Sequence, residues 1–96
     1  MNTMNELDGA KVIKQTKNTP DQKLSIMFFE EKDGSTIEVS ITALAIAKYE
    51  EEVDSGYYIF MCDQDWTVQD DHKLESVEDA LVWAEKNFDT SEEDWI

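Results

Sequence analysis

Apolar and polar residues alternate over much of the first two thirds of the chain and switch to helical spacing near its end. Lys11 to Thr16 predicts a short, weak strand, and Asn18-Thr19-Pro20-Asp21 a turn after it. Lys23 to Glu31 predicts the clearest strand. Leu24, Ile26 and Phe28 fall on one face and Ser25, Met27 and Phe29 on the other, which suits a central position partly buried on both sides. Asp33-Gly34 signals a hairpin, after which Ile37, Val39 and Ile41 alternate with Thr36, Glu38 and Ser40 in a partner strand.

Thr42 to Val53 admits two readings. In one, Thr42 caps a helix with Leu44, Ile46, Ala47 and Val53 on its apolar stripe; in the other, the preceding strand continues through Tyr49 and turns at Asp54-Ser55-Gly56. The helix is the preferred expectation. Tyr57 to Cys62, aromatic and β-branched, predicts a strand that pairs with Trp66 to Gln69 across Asp63-Gln64-Asp65. Ser76-Val77-Glu78-Asp79 carries a helix start signal with Ser76 as N-cap. The helix should run to about Phe88 with Val77, Ala80, Leu81, Ala84 and Phe88 on its buried face. Met1 to Gly9 is expected to be mobile, and Asp89 to Ile96 to form an acidic C-terminal tail. Together these elements predict an α+β fold, an antiparallel sheet of four or five strands with one or two helices against it.

The length, 96 residues, fits a single domain spanning 1–96, and an apolar content of 41% suffices for a thin core. A lone cysteine, Cys62, excludes an intrachain disulfide. The first residues lack a signal-peptide pattern, and no apolar run is long enough to cross a bilayer, so a cytoplasmic protein without membrane attachment is expected.

Charge changes the picture most. Twenty-three acids against eight lysines, with no arginine, leave a net charge of −15. Residues 1–32 carry five of each sign, so the whole excess lies in residues 33–96. Ordinary solubility needs a net charge of only about 2 to 8 in magnitude, and more than that strains the compact state by self-repulsion.

The residue inventory points away from an enzyme. Cys62 sits in an apolar strand, where a small buried hydrophobe is its expected role, and His72 reads as a solvated side chain beside Asp70 and Asp71. Gly9, Gly34 and Gly56 are isolated, so no glycine-rich phosphate loop exists. Asp63-Gln64-Asp65 opens like a calcium loop, but Val68 and Leu74 occupy the positions of its required glycine and bidentate glutamate. One His and one Cys do not make a zinc site. Neither a metal nor a cofactor is expected.

The acids themselves are patterned. At 100° per residue Glu75, Glu78, Asp79, Glu85 and Asp89 share one face of the last helix, a negative stripe about 20 Å long if the helix extends through both ends. Glu50, Glu51, Glu52, Asp54, Asp63, Asp65, Asp70 and Asp71 are candidates to extend it. Duplex DNA carries one negative charge per roughly 1.7 Å of axis, and rows of carboxylates on a rigid scaffold suit the same cationic grooves.

In size, charge and clustered carboxylates, Glu92-Glu93-Asp94 included, the chain resembles small acidic phage-type inhibitors that mimic DNA, the anti-restriction and anti-CRISPR proteins. The resemblance involves no sequence motif and transfers no residue roles. It implies an inhibitor, in a bacterial host cell, that blocks a basic protein at its nucleic-acid-binding groove without itself binding nucleic acid. The alternative is an acidic immunity or adaptor protein that binds a basic partner without mimicry. The near-neutral first third departs from a uniformly acidic mimic, and implies that only one side of the molecule imitates DNA.

Overall fold

The computed structural model describes residues 3–19, 21–49 and 56–96. These form strands β1 (Glu6–Leu7), β2 (Ala10–Gln15), β3 (Ser25–Glu30), β4 (Thr36–Ile41), β5 (Ala43–Lys48), β6 (Tyr57–Cys62) and β7 (Val68–Leu74), then helix α1 (Val77–Phe88) and a 3-10 turn, Glu92–Asp94. A curled antiparallel sheet has the order β1-β2-β5-β6-β7, β3 and β4 pair only with each other, and α1 packs on the main sheet. The architecture is α+β, as the alternation predicts.

The segment after Thr42 is a strand and not the preferred helix. In β5, Ala43, Ala45 and Ala47 face one side while Leu44 and Ile46 face the other, and all five are fully buried. A central strand covered on both faces loses its polar alternation, so its sequence imitates a helix. The rest of that predicted helix, from Glu50, lies outside the described residues.

The two faces of β5 separate two apolar clusters. The alanines meet Phe60, Cys62, Leu7, Ala10 and Trp66 on one side. On the other, Leu44 and Ile46 meet Ile41, Ile59, Met61 and α1 through Ala80 and Ala84. Small residues at these positions let the sheet curl and the helix approach closely.

Described residues near both ends take part in the fold. Asp8 and Gly9 have φ of 49° and 81° and form a two-residue turn that sets Leu7 opposite Ala10. An Asp-Gly pair with both residues at positive φ is the favoured tight hairpin connection. At the other end Trp95 bridges Thr16, and the Ile96 N–H donates to the Gln15 carbonyl at 2.7 Å.

The strand from Lys23 is not central. It belongs to a two-stranded arm in which Phe29 faces Ile37 and Met27 faces Val39, while Phe28 is 67% exposed. The root of the arm is fixed at Thr42, whose hydroxyl donates to Asn18 Oδ1 at 2.7 Å and whose carbonyl accepts from Gln22 Nε2 at 2.7 Å. At its tip Asp33 accepts from the Ser35 hydroxyl and N–H, which hold its carboxyl below the ordinary value, and Gly34 takes φ of 89°.

Candidate partner-binding face

Helix α1 begins where its capping residue dictates. Ser76 is extended, and its hydroxyl accepts from the Asp79 N–H at 3.0 Å. Asp79 and Glu78 place acidic charge in the first turn, where the helix dipole favours it. Ala80 and Ala84 are buried, and Val77, Leu81 and Phe88 are partly buried against the sheet, which matches the predicted face. The helical spacing does not place Trp83 on that face. Its indole packs there too, in contact with Phe88 and stacked on His72.

The opposite face is open to solvent. Glu78, Asp79 and Glu85 are all exposed on it, and Glu75 and Asp89 are exposed just beyond its two ends. The helix is shorter than the sequence stripe assumes: its 12 residues span about 18 Å, and Asp89 is the left-handed C-cap at φ of 56°. The face is also not purely acidic, since Val82, between Glu78 and Glu85, is 51% exposed, and Lys86 is exposed beside it. The 3-10 turn adds Glu92, Glu93 and Asp94, exposed, although Asp94 is partly occupied in accepting from Ser91 N–H at 2.7 Å.

The other predicted acids disperse. Asp70 lies opposite Met61 in register and Asp71 opposite Phe60, so this exposed pair is split between the two faces of β7, with Asp70 on the helix side. Asp63 and Asp65 lie in the β6–β7 loop, at the far end of a seven-residue strand about 23 Å long from Glu75. Asp65 is exposed, whereas Asp63 is half-buried and builds its own loop: Oδ1 accepts from the Asp65 and Thr67 N–H groups, and Oδ2 from Gln69 Nε2 at 3.0 Å. Glu50, Glu51, Glu52 and Asp54 lie outside the described residues.

Cys62 is fully buried in the alanine-face cluster, and burial pushes its thiol up to about 12 from an ordinary 9.0, with the charges of Asp63 and Asp8 adding to the effect. Such a thiol is inert at neutral pH. Among the described residues no group of three or more His, Cys, Asp or Glu side chains is disposed to hold a metal ion, and no helix is long and apolar enough to cross a membrane.

One feature has no counterpart in the sequence pattern. A groove of about 220 Å³ separates α1 from the segment that follows it, with Leu81, Val82 and Trp95 forming apolar walls and Glu85 and Glu92 supplying carboxylates. Chain reversal after Asp89 creates it, which linear spacing does not reveal. A second surface feature is the arm, where Ile26, Phe28, Phe29 and Ile37 are exposed.

Comparison of the chain with protein-family models, with characterised proteins and with solved structures gives no match.

Proposed function

We propose that the protein is a DNA-mimicking inhibitor that occupies the nucleic-acid-binding groove of a basic host-defence protein, such as a CRISPR effector or a restriction enzyme. The observation that carries this reading is the solvent face of α1, on which Glu78, Asp79 and Glu85 stand exposed. Glu78 and Glu85 are two turns apart, about 10 Å along the axis, on a helix whose inner face is fixed by buried alanines. A partner built to neutralise phosphates with lysine and arginine finds there negative charge carried on a docked helix. Glu75, Asp89, Asp70 and the carboxylates of the 3-10 turn widen the negative field around it.

The experiment is affinity capture from a nuclease-treated bacterial lysate, eluted with rising salt and repeated with Glu78→Lys/Glu85→Lys. The reading expects a DNA-binding protein to be retained by the native chain, released by salt and lost with the double variant. Equal retention by both proteins would count against it.

A second reading, an acidic adaptor or immunity protein that binds a basic partner without mimicry, is favoured by the arm. Phe28 and Ile37, 67% and 44% exposed, are apolar contacts that a phosphate mimic does not need.

A further inference from the structure

The groove between α1 and the C-terminal segment has the composition of a side-chain receptor. Its volume of about 220 Å³ is below the roughly 300–1,000 Å³ of typical small-molecule sites, a size suited to one extended side chain. Leu81, Val82 and the Trp95 indole provide apolar surface for an aliphatic stem, and Glu85 and Glu92 place two carboxylates on the same groove. Thr90 also lines it. That residue is only 4% exposed, and its Oγ1 is buried with no hydrogen-bond partner.

A buried hydroxyl without a partner is costly, and native structures rarely leave one unmatched. The neighbouring groups do not supply the bond: the Ser91 N–H and hydroxyl both donate to Asp94 Oδ2, at 2.7 and 3.4 Å. A group that enters the groove, with Thr90 turning its hydroxyl toward it, can supply that bond while meeting two carboxylates and an apolar wall.

We infer that this groove receives an arginine side chain of the protein's partner. A guanidinium offers five N–H donors in a planar fork, enough for Glu85, Glu92 and Thr90 Oγ1 together, and its flat face stacks on an indole. A lysine ammonium has three donors and no plane, so it fits the same lining less completely. This deepens the proposed function by naming the anchor, and it rests on that reading only in assigning the arginine to a partner. The affinity of the groove for the side chain itself is independent of it.

The test uses blocked arginine (N-acetyl-arginine methylamide), titrated into the full-length ¹⁵N-labelled protein and followed by NMR, with blocked lysine and blocked norleucine as comparisons. The expected result is saturable shifts confined to Leu81 through Thr90 and the Trp95 indole N–H, at least threefold tighter for arginine than for lysine and absent for norleucine. Thr90→Val, which keeps the shape of the side chain, should weaken arginine binding several-fold, and Glu85→Gln/Glu92→Gln at least tenfold. Unsaturable shifts spread over all acidic surfaces, equal binding of lysine, or undiminished binding by a folded Thr90→Val protein would overturn the inference. Should blocked arginine fail while the protein still competes with DNA for its partner, the groove is wrong and the mimicry stands. The converse pair of results would leave an arginine groove on a protein that does not mimic DNA.

Discussion

The imidazole of His72 lies parallel to the indole of Trp83, with ring centres 4.6 Å apart and planes 15° apart, and so ties the exposed edge strand β7 to helix α1. His72 is thus part of the support for the acidic face, not merely a solvated side chain. Aromatic pairs contribute about 0.5–1.5 kcal/mol beyond the area they bury, so His72→Ala should lower stability by about 1 kcal/mol while His72→Phe retains most of it. Urea denaturation checks both; an unchanged midpoint for His72→Ala would mean that the stack does not hold the helix.

Ala84 is fully buried where α1 meets the sheet. Ala84→Leu should therefore cost about 1–3 kcal/mol through overpacking, without altering any surface charge. Leu81 is only partly buried, so Leu81→Ala should fall at or below the lower end of the roughly 2–5 kcal/mol seen for buried leucines. Glu78→Gln, on the solvent face, should be close to neutral in the same assay, because relief of repulsion among the acids offsets the lost interaction with the helix dipole.

Alkaline stability should report on Cys62. Its thiol is raised from 9.0 to about 12 in the folded protein, so between those values the unfolded chain has lost the proton that the native state retains. The unfolded state then binds fewer protons, and stability falls as pH rises through this window. Cys62→Ala, although it leaves a small cavity, should flatten that decline between pH 9 and 11. An equally steep decline in the variant would place its origin in other groups.

With a net charge of −15, the isolated protein should gain from screening. Its Tm should rise when moderate salt is added at neutral pH. A flat or falling Tm would show that repulsion among these carboxylates does not strain the fold.

The helix was legible because a cap, a period and a buried face agree: Ser76, the 3.6-residue spacing and the two alanines all specify the same element. So was β6, whose observed bounds, Tyr57–Cys62, are those its aromatic and β-branched run predicts. Tertiary placement was less legible. β5 reads as helix because both its faces are buried, and β3 reads as central because an arm with apolar residues on both sides has the same pattern as a buried strand. The Asp8-Gly9 turn did carry a signal, the same Asp-Gly pair that marks the arm, but the strand before it is two residues long and shows no period. Among the candidate site residues, helical spacing puts Glu78, Asp79 and Glu85 on one helix, where all three are exposed. It could not reveal that Asp63 is consumed by its own loop, or that the chain returns to place Glu92 and Trp95 beside Glu85.

The arm offers a way to separate the two functional readings. Phe28→Ser/Ile37→Ser removes exposed apolar surface from a hairpin that packs on the core only near its root. Partner binding should persist within about threefold if the acidic face dominates and fall by at least tenfold if the arm is the principal contact. Surface plasmon resonance with the captured partner reads the difference, provided circular dichroism confirms that the variant is folded.

The most direct measurement is competition on the purified partner. Labelled DNA is bound at saturation, the protein is titrated in at fixed ionic strength, and the experiment is repeated with Glu78→Lys/Glu85→Lys and with a Lys11→Glu/Lys14→Glu control in the near-neutral third. Mimicry predicts that native protein displaces the DNA completely, that the Lys11/Lys14 control does so with similar potency, and that the Glu78/Glu85 reversal loses at least tenfold. A ternary complex of partner, DNA and protein at saturation, or a fully potent Glu78/Glu85 reversal, would contradict it.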